Sequence, residues 1–217
     1  MLHLTSRVLT RGTLACVLGL ALPVFAGNQM YEPLSASVQA ALSEAISDQA
    51  VPHLAFGTER EARAWLAAMS HRLERRMPER REREEFLVTV HYEAKRAGLD
   101  PQMVLGLIQV ESAFRKYAVS TAGARGYMQV MPFWAKLIGH SRHNLFHLRT
   151  NLRFGCVILR HYLDIEKGDL FRALGRYNGS LGQAEYPSMV LSAWHNHWAY
   201  PVRTGEPAPA KRTDRGT

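Results

Sequence analysis

Cysteine is nearly absent from this chain: Cys16 and Cys156 are the two in 217 residues. Arg7 and Arg11, the apolar run from Gly12 to Phe25 and the small-residue close at Val24-Phe25-Ala26 predict an export signal over residues 1–26, cut after Ala26. The cut leaves Cys156 alone, which excludes an internal disulfide and puts the burden of stability on packing. Cys156 falls between Leu152 and Leu159 at helical spacing and reads as a small buried apolar side chain rather than a nucleophile. The apolar run is short for a membrane span, and a signal retained as an anchor is the alternative. Sustained apolar/polar alternation and internal repeats are missing too, which leaves a mostly α fold. Phosphate loops and dinucleotide fingerprints are absent. His140, His143 and His147 share one loop without a carboxylate or cysteine at ligand spacing, so neither a metal nor any other cofactor is expected.

What is present is enough apolar side chain for a real core, 47% of the residues, and a surplus of positive charge. The formal charge of +8 loses Arg7 and Arg11, with no acid in that stretch, and stays at about +6 in the exported chain. Export to the periplasm argues against nucleic acid as a partner, and much of the charge is a solvated face. Periodicity then lays out the helices. Val38, Ala41, Leu42, Ala45 and Ile46 mark one between Ser35 and Ala50. Thr58 and Glu61 form a capping box for a second, striped by Ala62, Trp65, Leu66, Met69 and Leu73 and ended by Pro78. The charges from Arg72 to Glu85 alternate in sign, as on a solvated helix surface.

A third helix carries Phe86, Leu87, Val90 and Ala94 and stops at Gly98, and Asp100 and Pro101 supply the N-cap and first position of a fourth. The short punctuation predicts that these two are adjacent and steeply crossed. Pro132 opens a short helix to Gly139, in which Trp134 is either core or a ring for stacking on a ligand. A long helix covers about Asn151 to Lys167, with Gly155 allowing another helix close. Asp169 caps a helix that ends at Tyr177-Asn178-Gly179, and Pro187 begins the last, striped by Val190, Ala193, Trp194, His197 and Trp198. The expected units are the export signal, an N-terminal helical extension over residues 27–82, a main domain over 83–200 and a disordered tail over 201–217.

The rest is organised around the stretch from Gln109 to Pro132. Glu111 lies i+3, i+4 and i+7 from Ile108, Leu107 and Val104, so a helix here puts its carboxyl on an aliphatic face. Desolvation disfavours the charged form there, which raises the pKa and keeps a proton available near neutral pH. Pairing with Arg115, four residues on, is the plainer alternative. Ser120, Thr121, Gly123, Ala124 and Gly126 then allow tight turns and close backbone approach before Met128, Gln129 and Met131.

E-S-x-F at Glu111 followed by A-x-S-x-x-G-A-x-G-x-M-Q-V-M-P resembles the signature of the SLT-type lytic transglycosylases, lysozyme-like enzymes that cut the glycan strand of peptidoglycan. The resemblance continues at Asn151 and Gly155 with Tyr162-Leu163, and at Ala173 with Tyr177-Asn178-Gly179, in the family's order over about half of the chain. Tyr127 stands where the family usually has Leu, and Gly175-Arg176 departs from its third motif. The resemblance implies a lysozyme-like α fold, Glu111 as catalytic acid and Tyr177 as the tyrosine that hydrogen-bonds it. It also implies Ser120, Gln129, Met131 and Asn178 as substrate-binding residues and peptidoglycan strands as substrate. Their carboxylates suit a basic protein.

Between Glu111 and Asp164 there is no Asp or Glu, so the paired carboxylates of ordinary glycosidases lack their second member. A single acid that returns as base fits, and in the family the 6-hydroxyl of N-acetylmuramic acid then closes a 1,6-anhydro ring. A goose-type muramidase that delivers water and a non-catalytic peptidoglycan-binding module are the alternatives. Ser112 has no histidine motif or nucleophile elbow beside it. A cell-envelope protein partner for the N-terminal helices, and the oligomeric state, are left open.

Overall fold

The computed structural model describes residues 29–140 and 142–200; the expected export signal and tail lie outside them. Among the described residues the chain forms α1 Ala36–Ile46, α2 Glu59–Leu73, α3 Arg80–Arg96, α4 Pro101–Ser112, α5 Pro132–Ile138, α6 Leu148–Ile165, α7 Leu170–Asn178 and α8 Glu185–Ala193. The last helix runs on into a π-helical turn, Trp194–Trp198. Strands do not form among the described residues, where Val119, Arg125 and Val130 meet as isolated antiparallel bridges. The fold is mostly α, as the patterning requires.

Local chemistry places the helix ends. Thr58 and Glu61 close the expected capping box at the start of α2. The Asp100 carboxylate accepts the Gln102 and Met103 N–H groups at 2.7 and 3.0 Å, with Pro101 in the first position of α4. Asp169 caps α7, and Gly179 ends it in the left-handed region at φ 80°.

α4 is the central helix. Met103, Val104, Leu105, Leu107 and Ile108 are all buried, each stabilising the fold by about 1.5–3 kcal/mol relative to exposure. It packs against α3 on one side and against α8 and the π turn on the other. Gly106 makes the second contact feasible, since a Cβ there would sit 2.9 Å from the Trp194 backbone nitrogen. The π turn adds a residue to the last winding. It sets the Trp198 ring 5.4 Å from Phe114, with its indole N–H donating to Gln109 Oε1 at 2.9 Å.

α3 rests on α2 and α6, α6 on α7, and α1 on α5 and α6. Arg83, the expected start of the main domain, is buried and donates to Ser70 Oγ at 2.7 Å and to the carbonyls of Met77 and Pro78 at 2.6 and 2.9 Å. Trp65, Met69 and Leu73 of α2 belong to the same continuous core as α4. A second junction surrounds Glu93 on α3. Its carboxylate meets Arg153 at 2.9 Å, Arg149 at 3.2 Å and Arg96 at 3.3 Å. The same arginines reach the carbonyls of Ala45, Ile46, Asp48 and Ala50 and so clasp the end of α1 onto α3 and α6.

Candidate active site

Glu111 ends α4 fully buried, at 0% exposure, on the face shared with Val104, Leu107 and Ile108. The pairing with Arg115 does not form; that guanidinium donates to the Ser112 carbonyl at 3.0 Å. Burial pushes the Glu111 pKa up from 4.5 to about 8, opposed by one hydrogen bond from Tyr186. That phenol donates to Oε1 at 2.5 Å, while Oε2 has no hydrogen-bond partner among the described residues. At neutral pH the site therefore holds a protonated carboxyl, oriented by a neutral donor and with one oxygen uncommitted.

The chain leaves α4 by an uncommon route. Ala113 and Phe114 both adopt positive φ, at 49° and 65°, which costs about 1–2 kcal/mol per residue without glycine. Phe114 offsets that cost by burying its ring 5.9 Å from Phe86 and beneath the Arg76 guanidinium. The Ser112 hydroxyl donates back to the Ile108 carbonyl at 3.2 Å.

The small-residue stretch folds into the expected tight loop. Ser120 Oγ accepts the Ala124 N–H at 3.0 Å. Gly126, at φ 77°, leaves space for Asn151, whose Nδ2 would lie 2.4 Å from a Cβ there. Asn151 is the loop's brace. Its amide donates to the carbonyls of Arg125 and Leu145 at 2.8 Å and accepts the Met128 N–H at 2.8 Å. Gly155, one turn on, makes room for the Met128 side chain rather than for a helix. The N-x-x-x-G spacing thus receives the loop.

One expectation needs correction, and two further residues take their places in the fold. Tyr177 does not hydrogen-bond the acid: its hydroxyl donates to the Met128 carbonyl at 2.7 Å, because α7 enters from the side of the loop. It remains close enough for the Glu111 charge to add to the burial that raises its pKa. Gln129 is buried at φ 47°; its amide nitrogen donates inward to the carbonyls of Ala118 and Gly126, at 3.2 and 2.8 Å, and shapes the loop, while its Oε1 has no partner among the described residues. Trp134 is buried edge-on to Tyr162 and belongs to the core.

Met131 is half-buried and its N–H donates to Gln29 Oε1 at 3.3 Å. Asn178 is buried with its amide nitrogen unpartnered among the described residues. Tyr186, 75 residues from Glu111, carries no signal in the sequence, because no spacing rule connects the two.

Residues 89–187 match the family model described as the Transglycosylase SLT domain. The chain is 37% identical over 94 residues to the transglycosylase of Enterobacteria phage PRD1, covering 43% of this chain and 34% of that protein. It is 52% identical over 48 residues to membrane-bound lytic murein transglycosylase C of Actinobacillus pleuropneumoniae serotype 5b (strain L20), covering 22% of this chain and 13% of that one. The protein of that name from Histophilus somni (strain 2336) is 32% identical over 129 residues, covering 52% and 34%. A solved structure of an inactive mutant of the lytic transglycosylase Slt from Pseudomonas aeruginosa aligns with a TM-score of 0.40 and 24% identity, covering 49% of this chain and 20% of that one. The chain thus spans about a third or less of the length of these curated relatives. Through residues 89–187 it is similar to the SLT-type lytic transglycosylases.

Proposed function

We propose that this protein is a peptidoglycan lytic transglycosylase acting in the periplasm. It cleaves the β-1,4 bond between N-acetylmuramic acid and N-acetylglucosamine with Glu111 as the single acid and base. The observation that carries this reading is a fully buried carboxyl with a pKa near 8 and one uncommitted oxygen, at the head of the loop that bears the family's motif. Among the described residues its side-chain hydrogen bond comes from a phenol, and no cation draws the proton away.

The protonated Glu111 gives its proton to the glycosidic oxygen as the bond to the muramic C1 breaks, and the N-acetylglucosamine side leaves as an alcohol. The muramic 6-hydroxyl then attacks C1 and returns its proton to the Glu111 carboxylate. The acid is regenerated, a 1,6-anhydro ring is formed, and water is not consumed. Tyr186 orients the carboxyl by its bond to Oε1. Tyr177 acts on the Met128 end of the loop and, through its proximity, on the field at Glu111. Ser120, Gln129, Met131 and Asn178 present the polar groups and backbone that meet the sugar and its peptide, with the Gln129 amide nitrogen also holding the loop in shape. Residues 83–200 serve as the catalytic unit, on which the described part of the 27–82 extension, residues 29–82, docks through Arg83 and Glu93.

The test is purified protein and its Glu111→Gln variant incubated with sacculi, with products read by mass spectrometry. Anhydro-muropeptides released by the first and not by the second are expected. Reducing-end products in their place assign a hydrolase, and pelleting with sacculi without release by either assigns a binding module.

A further inference from the structure

A carboxyl that protonates a polymer must come within about 2.6–3.2 Å of the oxygen it serves. Glu111 has no exposed surface at all, so in this arrangement the glycan is shut out. The chain segment preceding α1 lies against the motif loop that follows Glu111. Gln29 is buried to 3% exposure although its neighbours Met30 and Tyr31 are largely exposed, so this one side chain turns inward from a surface strand of chain. Its carbonyl oxygen accepts the Met131 N–H, at the end of the motif loop. Its amide lies beside the Tyr177 hydroxyl, which in turn feels the Glu111 charge.

Two further contacts hold the segment. The Tyr31 ring meets Phe133 edge-on at 5.7 Å, and Glu32 pairs with Arg176 at 3.1 Å. Arg176 belongs to one of the two places at which the motifs depart from the family pattern, and here it divides itself between Glu32 and Glu166. At its other end the segment is tethered by α1, which the arginines around Glu93 clasp and whose Gln39 donates to the Leu137 carbonyl at 2.6 Å. A tether of this kind keeps the segment at high effective concentration beside the loop, while its own contacts are few and mostly at the surface.

We infer that residues 29–34 are an autoinhibitory strap: the Gln29 carboxamide occupies part of the acid's groove and competes with the N-acetylated glycan strand for it. The competition is chemical as well as steric. The acetamido carbonyl of an amino sugar is the same kind of acceptor for the Met131 N–H as the Gln29 carboxamide. Strap and strand are then mutually exclusive, and the apparent affinity for glycan is reduced by the fraction of molecules with the strap in place. This rests on the proposed glycan groove but does not require that Glu111 cleave what binds there.

The experiment is therefore a binding measurement in the Glu111→Gln background, by calorimetry with a soluble β-1,4 oligomer of N-acetylglucosamine. Alongside it, initial rates on sacculi are measured with Glu111 present. Replacing Gln29, Tyr31 and Glu32 together by Ala is expected to tighten binding about tenfold or more, the effect of freeing a groove that is open in a tenth of molecules or fewer. Glu32→Arg alone, which sets two cations against each other, should tighten it less, and adding Arg176→Glu should restore the parent affinity. Unchanged or weaker binding by the triple variant, with thermal melting showing an intact fold, overturns the strap. Should the triple variant not fold, Glu32→Arg and its charge-swapped partner decide the matter at the surface. Tighter binding with no cleavage by any Glu111-bearing protein keeps the strap and overturns the catalytic reading; cleavage with strap-independent affinity does the reverse.

Discussion

Glu93 and Glu111 lie equally deep in the protein, at 1% and 0% exposure, in opposite surroundings. Glu93 is met by the guanidinium groups of Arg96, Arg149 and Arg153, which supply its counter-charge and in turn hold four backbone carbonyls of the N-terminal extension. Glu111 is met by one phenol and an aliphatic wall, and burial raises its pKa to about 8. Burial alone therefore does not assign a role to a carboxylate. Supplied with cations it becomes a rivet whose removal strands buried charge; denied them it becomes a proton donor.

The sharpest way to break this comparison is to remove each acid and ask what is lost. Glu111→Gln should lower the cleavage rate by roughly 10²–10⁴, the usual contribution of a positioned general acid. It should also raise the melting temperature. The folded protein holds at Glu111 a proton that the unfolded chain releases, since the folded pKa of about 8 exceeds the ordinary 4.5. The stability conferred by that proton is complete below about pH 4.5 and is lost as pH rises through about 8. The Gln variant has no such slope, so the gap between the two melting temperatures should widen from the lower to the higher of these values. A constant gap would count against the raised pKa. For the same reason the rate of the wild-type protein should fall on the alkaline side near pH 8.

Glu93→Ala is expected to cost about 3–5 kcal/mol in urea unfolding, because it removes the buried carboxylate shared by three arginines and leaves the buried Arg153 only the more distant Asp48, at 3.7 Å. Its pH–rate profile should keep the wild-type shape. A change in that profile would mean that the two acids are not independent.

Tyr186→Phe should lower the rate roughly tenfold, equivalent to one hydrogen bond to the acid. It should also shift the alkaline limb to higher pH, since this hydroxyl is what opposes the upward push of burial. An unshifted limb would remove Tyr186 as the positioning residue. The smallest effect belongs to Tyr177→Phe, which loses the bond to the Met128 carbonyl and should cost about 1 kcal/mol of stability. If it moved the alkaline limb further than Tyr186→Phe, the tyrosine assignments would have to be exchanged.

The order of helices, their caps and the inward face of α4 follow from sequence alone. They depend on interactions within a few residues: the capping box at Thr58 and Glu61, Asp100 before Pro101, and the spacing of Val104, Leu107, Ile108 and Glu111. The loop's need for small residues was legible for the same reason, as was the absence of any Asp or Glu between Glu111 and Asp164. Tertiary structure decided which tyrosine meets the acid, because Tyr186 and Tyr177 arrive on different helices and helix packing places one at Glu111 and the other at Met128. It also turned Gln129 inward, gave Gly155 to the Met128 side chain, placed Gln29 against the loop 102 residues away and matched Glu93 with three arginines. Contacts over such separations are set by how helices cross and how side chains fill the remaining space, and neither leaves a period or a motif in the chain.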